Sequence, residues 1–260
     1  GYDSVGWAAS QPWSSGKVGM FGDSYVGATQ WLAAISRPPA LAAIVPGVTA
    51  SDYHEGWTWQ GGAFELGFNL NWALHFFTIG NYARLSRTLD LPPEGLDKLI
   101  DAVDGNFSAF EYLPLKEWPD LKPNLAPYYY DWLDHPEYDD YWKKVCIEEK
   151  HAQIDTPAFN YGGWYDIFLG GTIRNFGRMR EMGATERARQ GQRLLIGPWV
   201  HGGAADTSAG DQFFGVRSSG AYLDLDGAKL SYYDHMLKDM DNGVDGERPV
   251  RIFVMGDNVW

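Results

Sequence analysis

The sequence predicts an α/β protein, a mostly parallel sheet flanked by helices and interrupted by one long helical insertion. Short apolar runs alternate with amphipathic helical stretches over residues 17–47, and the same alternation returns after residue 155. That grammar belongs to parallel strands covered on both faces. Residues 51–151 lack the alternation, and 45% hydrophobic with 21% charged residues in 260 supplies a sizeable core and excludes a disordered chain.

In order, KVGMF (17–21) reads as a buried strand and GDSYVG as a turn. Residues 25–36 form a helix whose stripe is Val26, Trp31, Leu32 and Ile35, and LAAIVPG (41–47) is a second strand. TPAFNYGGWYD (156–166) is a strand and loop. The stretch 171–182 spaces Ile173, Phe176 and Met179 three apart, as a helix does. RLLIGPWVHG is again strand and loop, and 226–240 places Leu230, Tyr233, Leu237 and Met240 on one helical face. Near the end, Val250, Ile252 and Val254 alternate as a strand with no visible partner, which reads as the opening of a further β domain.

The insertion 51–151 predicts helices over about 61–86 and 94–103, then a Pro/Tyr/Asp-rich run. It holds 18 of the 34 acids and 8 of the 21 bases, so it carries −10 of the net charge of −13. A helical block between two strands is the usual form of a cap; the plainer reading is a separate domain with a solvated acidic face. The expected division is an α/β core at 1–50 and 152–241, a cap at 51–151, and a first β-domain strand within 242–260.

Several function classes drop out. The acidic balance makes nucleic acid a poor partner. No apolar run approaches the roughly 20 residues of a membrane span, so no membrane partner is expected. Neither a C-x-x-C nor an H-E-x-x-H pattern offers a metal, no phosphate loop is present, and no cofactor is expected. Cys146 alone forms no internal disulfide, and the lack of a visible signal region favours a cytoplasmic location. Self-association into a homo-oligomer is left open. Asn106-Phe107-Ser108 is a glycosylation sequon by letter only, and the run Tyr128–Tyr130 reads as packing within the insertion.

The chemistry-bearing motif is Gly22-Asp23-Ser24-Tyr25-Val26-Gly27, between a strand and a helix. A sharp turn there strains the serine backbone and lifts Oγ above the sheet, while the glycines let the helix approach closely. The Tyr25 N–H then heads a helix, where it can stabilise an oxyanion. A serine nucleophile needs a base, and the base an orienting carboxylate, in the order Ser, Asp, His on such a sheet. Asp166 and His201 each fall just past a predicted strand, where open α/β sheets build their sites. His54, His75, His135 and His151 precede the acid and His235 lies in a helix, so packing or surface roles are expected for them.

With these residues in view, the chain resembles the cocaine esterase / X-Pro dipeptidyl-peptidase family of serine hydrolases, on an α/β-hydrolase fold. The resemblance rests on QPWSSGKVGMFGDSYVG, GGWYD, LLIGPWVHG and VRIFVMG, and spans essentially the whole sequence. The family motif G-x-S-Y-x-G accounts for the glycine spacing. It implies Ser24 as nucleophile, His201 as general base and acid, and Asp166 as orienting carboxylate. It further implies an aromatic acyl pocket from Trp57, Trp72 and Phe168, with Trp59 and Trp164 as neighbouring candidates. Relatives acting on α-amino acid esters place carboxylates at the second and third positions after the catalytic Asp. Phe168 and Leu169 stand there instead, which favours a plain acyl ester or amide. By the resemblance, strands and a second oxyanion donor are expected upstream and a β jelly roll downstream, so the chain reads as truncated at both ends. An X-Pro dipeptidyl-peptidase and a non-catalytic ligand-binding protein are the competing readings. The acidic insertion would favour cationic or neutral substrates.

Overall fold

In a computed structural model the long strands are β1 Val18–Asp23, β2 Leu41–Gly47, β5 Phe159–Tyr165 and β6 Arg193–Val200, followed by the short β9 Val250–Ile252. These five form one parallel sheet in the order β1-β2-β5-β6-β9. The intervening strands make two small hairpins, β3 Trp59–Gln60 with β4 Ala63–Phe64, and β7 Ser208–Ala209 with β8 Gln212–Phe213. The structure describes residues 1–89, 91–92, 94–105, 110–118 and 125–260. Strand β2 is buried along almost its whole length, as an interior parallel strand covered on both faces must be. On one face Ile44 packs with Trp31 of the helix Tyr25–Ile35 and Met179 of the helix Leu169–Met182. On the other, Ala43 and Val45 pack with Tyr232 and Met236 of the helix Leu225–Lys238.

The strand near the chain end is a correction to the expectation. Val250–Ile252 does have a partner: it pairs parallel with β6, Leu194 opposite Val250 and Ile196 opposite Ile252, and forms the fifth strand of the main sheet. Phe253 follows, fully buried, with its N–H donated to the Ile196 carbonyl at 2.8 Å. Alternating apolar residues announce a strand but carry no information on its partner, which is fixed by a contact distant in sequence.

Helix positions agree with the sequence expectation more closely than helix faces do. In Tyr25–Ile35, Val26 is 49% exposed and Leu32 lies at the surface. The buried face consists of Gly27, Ala28, Gln30, Trp31, Ala33 and Ala34. Small side chains let the helix axis approach the sheet, which a count of large apolar residues misses. Gln30 tolerates complete burial because its amide is used at both ends. Oε1 accepts the Val45 N–H at 3.0 Å, and Nε2 donates to the Gly22 carbonyl at 3.0 Å. In Leu225–Lys238 the buried stripe is Leu225, Tyr232 and Met236, with Tyr233 and Leu237 at its margin. Leu230 is 65% exposed and Met240 lies beyond the helix.

The chain divides into two compact units, 1–56 with 145–260 and 57–144. The inserted unit is thus shorter than the expected 51–151, because the segments at its borders are bonded into the sheet unit. Ile147 and Glu148 donate their N–H groups to the Ser51 carbonyl, both at 3.1 Å. The Glu148 carboxylate accepts from Ser51 Oγ and Arg174 Nε. Burial pushes its pKa upward, but these donors outweigh burial and hold it below the usual range. His151 is fully buried, its Nε2–H donated to Asn175 Oδ1 at 2.9 Å, while Asn175 Nδ2 donates to the Ala50 carbonyl at 3.3 Å.

Within unit 57–144, the hairpin of β3 and β4 occupies the start of the stretch expected to be helical. Helix begins at Leu66–Asn71, continues as a π-helix over Trp72–Ile79 and returns to α over Gly80–Leu89. Helices Gly95–Asp104 and Pro127–Asp134 complete a core of Leu70, Leu74, Tyr82, Leu99 and Tyr129. The sequon at 106–108 lies outside the described residues. Among the described residues no helix is long and apolar enough to cross a membrane.

Two outcomes follow from these contacts. Gln30→Leu strips the Val45 N–H and the Gly22 carbonyl of a partner, and should lower stability by about 1–3 kcal/mol in urea denaturation. Burial depresses the His151 pKa in the fold, the Asn175 hydrogen bond only partly opposing it. As pH falls, the unfolded chain therefore binds this proton first, from about pH 6.5 downward, and stability declines. The slope of urea midpoint against pH between 8 and 5 should be shallower in His151→Gln.

Candidate active site

Strand β1 ends at Asp23 and a helix starts at Tyr25, leaving Ser24 alone to make the turn at φ 57°, ψ −121°. That region is costly for a residue with a side chain. Gly22 approaches the turn at φ 137°, where a Cβ would lie 2.6 Å from Val26 Cγ1. At Gly27 a Cβ would lie 2.8 Å from the Gly47 carbonyl and 3.0 Å from Thr49 Cβ. The second glycine thus lets the helix rest on the end of β2, and the first relieves the turn itself.

The other two residues arrive at the same edge. Asp166 follows β5 and His201 follows β6, both at C-terminal strand ends. His201 Nε2 is 2.9 Å from Ser24 Oγ, and His201 Nδ1 is 2.7 Å from Asp166 Oδ1. The Asp166 side chain is wholly buried and the His201 side chain is 32% exposed. Asp166 Oδ1 also accepts the Phe168 N–H at 3.2 Å. A carboxylate on Nδ1 selects the tautomer with its proton there, leaving the Nε2 lone pair to accept from the serine hydroxyl. The Tyr25 N–H heads the eleven-residue helix beside Ser24, at the positive end of its dipole. The arrangement can deprotonate a serine hydroxyl, store the proton on an imidazole and stabilise the cation so formed.

The remaining predicted site residues divide. Phe168 is buried and sets its ring edge-on to His201, centroids 5.2 Å apart. Trp164 packs with Phe176, Leu194 and Ile196, and donates its indole N–H to the Phe253 carbonyl at 2.7 Å, a core role that fastens the chain after β9. Trp57, Trp59 and Trp72 belong to the inserted unit and pack on Phe68, Phe64 and Phe77 there. Tyr128 and Tyr129 likewise pack within that unit. His135 pairs with Asp139 and stacks on Tyr141, and His235 pairs with Asp245. Among the described residues no group of His, Cys, Asp and Glu is arranged to hold a metal. One neighbour of the turn leaves no mark in the sequence, the Tyr161 hydroxyl that donates to Asp23. The two residues lie 138 positions apart, and neither the motif nor the strand pattern links them.

A parallel sheet presenting a strained serine, a histidine and a buried aspartate in that order at its C-terminal edge defines an α/β-hydrolase arrangement. Comparison with known proteins gives the family. Residues 1–203 match the model of the X-Pro dipeptidyl-peptidase (S15) family, and the chain belongs to that family. Cocaine esterase of Rhodococcus sp. (strain MB1 Bresler) is 32% identical over 262 residues, covering 99% of this chain and 44% of that protein. The chain therefore spans less than half the length of this relative. Two solved structures share the fold. A CocE/NonD family hydrolase of Staphylococcus aureus has a TM-score of 0.61 at 24% identity, covering 96% of this chain and 34% of its own. An α-amino acid ester hydrolase has a TM-score of 0.63 at 22% identity, covering 100% and 40%.

The close approach at Gly27 generates a direct expectation. Gly27→Ala must push the helix off the Gly47 carbonyl, and should cost about 1–3 kcal/mol by overpacking. Urea denaturation reads that loss, and unchanged stability would mean that the helix has room to spare.

Proposed function

We propose that the chain carries the nucleophile, base and acid of a serine hydrolase that cleaves an acyl ester through an acyl-enzyme. The observation that carries this reading is the continuous hydrogen-bonded series Ser24–His201–Asp166. In the forward step Ser24 Oγ attacks the carbonyl carbon as its proton passes to His201 Nε2. The buried Asp166 carboxylate stabilises the imidazolium through Nδ1–H. The carbonyl oxygen gains the negative charge, and the Tyr25 N–H, at the positive end of its helix, is the donor proposed to meet it. Such a donor is worth about 3–4 kcal/mol in the transition state. His201 returns the proton to the leaving alcohol as the C–O bond breaks, giving acyl-Ser24. Water then repeats the sequence, with His201 as its base, and releases the acid.

The substrate side is read from Phe168 and Leu169. Apolar residues stand where relatives that bind an α-ammonium are expected to carry carboxylates, so a plain acyl group fits better than an amino acid ester. The likeness to cocaine esterase supports an ester, and Phe168, beside His201, is the aromatic residue that an acyl group would meet. A second reading, release of an N-terminal X-Pro dipeptide, is favoured by the description of the matched family.

Three results test the proposal. Ser24→Ala should lose at least about a thousandfold in aryl-ester turnover; undiminished turnover would sink the nucleophile assignment. Asp166→Asn should lower kcat by about 10³–10⁴ through loss of the histidine tautomer and charge support. An aryl ester should be hydrolysed faster than an X-Pro anilide, and the reverse order would favour the peptidase reading.

A further inference from the structure

Asp23 fills the position between glycine and serine in the nucleophile turn, and the mechanism above gives it no part. In the sheet register Asp23 lies opposite Gly47, and Gly47 opposite Tyr161, so the three form one row across β1, β2 and β5. The Tyr161 hydroxyl spans the middle strand and donates to Asp23 Oδ1. Only the absence of a side chain on β2 permits this. A Cβ at Gly47 would lie 2.3 Å from Tyr161 Cζ and 2.5 Å from Asp23 Oδ1. The same row fastens the turn through its backbone, since the Ser24 N–H donates to the Gly47 carbonyl at 2.9 Å.

Tyr161 is itself held. It is 3% exposed, and the Lys229 ammonium of the helix above it sits 4.4 Å from the ring centroid. Lys229 also pairs with Asp226 on the same helix at 3.3 Å. Burial first, and the Asp23 carboxylate second, push the phenol pKa upward, so the hydroxyl keeps its proton and remains a donor. Asp23 therefore meets a buried partner, although it is itself exposed at the end of β1.

We propose that Tyr161 and Asp23 are a positioning pair for the nucleophile: the phenol fixes the Asp23 side chain, and so holds the adjoining Ser24 backbone in its strained turn. This rests on the reading of Ser24 as nucleophile. Ser24 Oγ reaches His201 Nε2 only while the turn keeps its shape, and the residue immediately before it is the natural place for a restraint. Displacing a reacting group by about 1 Å costs on the order of a hundredfold in rate. Releasing one hydrogen bond in the supporting row should cost about tenfold or more.

The test uses the full chain and two readouts: the second-order rate of covalent inactivation by a fluorophosphonate, and kcat and KM on a p-nitrophenyl ester. Tyr161→Phe removes one oxygen while keeping the ring beneath Lys229, and Asp23→Ala removes the acceptor. Each should slow inactivation and lower kcat by about tenfold or more, with KM within about twofold. The double variant should be no slower than the slower single, because both changes break the same bond. Asp23→Asn retains an acceptor oxygen and should recover most of the rate, which a merely destabilised fold would not do. Wild-type rates in Tyr161→Phe or Asp23→Ala, or fully additive losses in the double variant, would overturn the pair. Should Tyr161→Phe fail to fold, Asp23→Ala against Asp23→Asn decides alone, and equal rates overturn the proposal. A wild-type chain that does not react at Ser24 overturns the nucleophile reading and the pair with it. A reactive wild type with unaffected variants overturns only the pair.

Discussion

The backbone of Ser24 is held where a side-chain-bearing residue does not choose to be, at φ 57°, ψ −121°. Such a conformation costs on the order of 1–3 kcal/mol and persists only when its surroundings over-determine it. Here the surroundings are specific. Gly22 and Gly27 remove the Cβ atoms that would meet Val26 and the end of β2, and the Ser24 N–H is tied to the Gly47 carbonyl. Gln30 closes the underside by joining the Gly22 carbonyl to the Val45 N–H, one on each strand. Relaxing the turn would carry Oγ away from His201, so the geometry of the hydrogen-bonded series is inherited from the fit between one helix and two strands.

Parallel topology supplies the rest of the site. Successive parallel strands end at the same edge, so residues far apart in sequence meet there without any local signal linking them. Asp166 and His201 need only be the first residues beyond β5 and β6 to reach a common place. Burial then differentiates them. The Asp166 carboxylate is enclosed, its Oδ1 shared by His201 and the Phe168 N–H, whereas the His201 side chain remains partly exposed. The Phe168 ring stands edge-on beside the imidazole.

What could be read from the sequence follows the range of the interaction behind each feature. The strand LAAIVPG is observed at Leu41–Gly47, the span expected, because a run buried on both faces is apolar throughout and ends at a proline-glycine pair. The serine turn and the order Ser24, Asp166, His201 were legible for a similar reason: a strand-to-helix turn is local, and chain order maps directly onto sheet edge. Helix faces were less legible. Spacing rules favour large residues such as Val26 and Leu32, while close packing on a sheet selects Gly27, Ala28 and Ala34. Partnership was the least legible. Nothing in RPVRIFV says that it pairs with β6, and nothing in Asp23 or Tyr161 says that they meet across Gly47. The small hairpin at 59–64 was hidden for want of length, two residues per strand giving no period to read.

The proposed hydrolysis requires Ser24 to form a covalent bond during turnover. Rapid acid quenching of the chain with a p-nitrophenyl ester, followed by peptide mass mapping, reads this directly. The expected result is one acyl increment on the peptide containing Ser24, appearing with the first burst of nitrophenol and absent in Ser24→Ala. Hydrolysis that proceeds with no increment, or with the increment on another residue, would contradict the account.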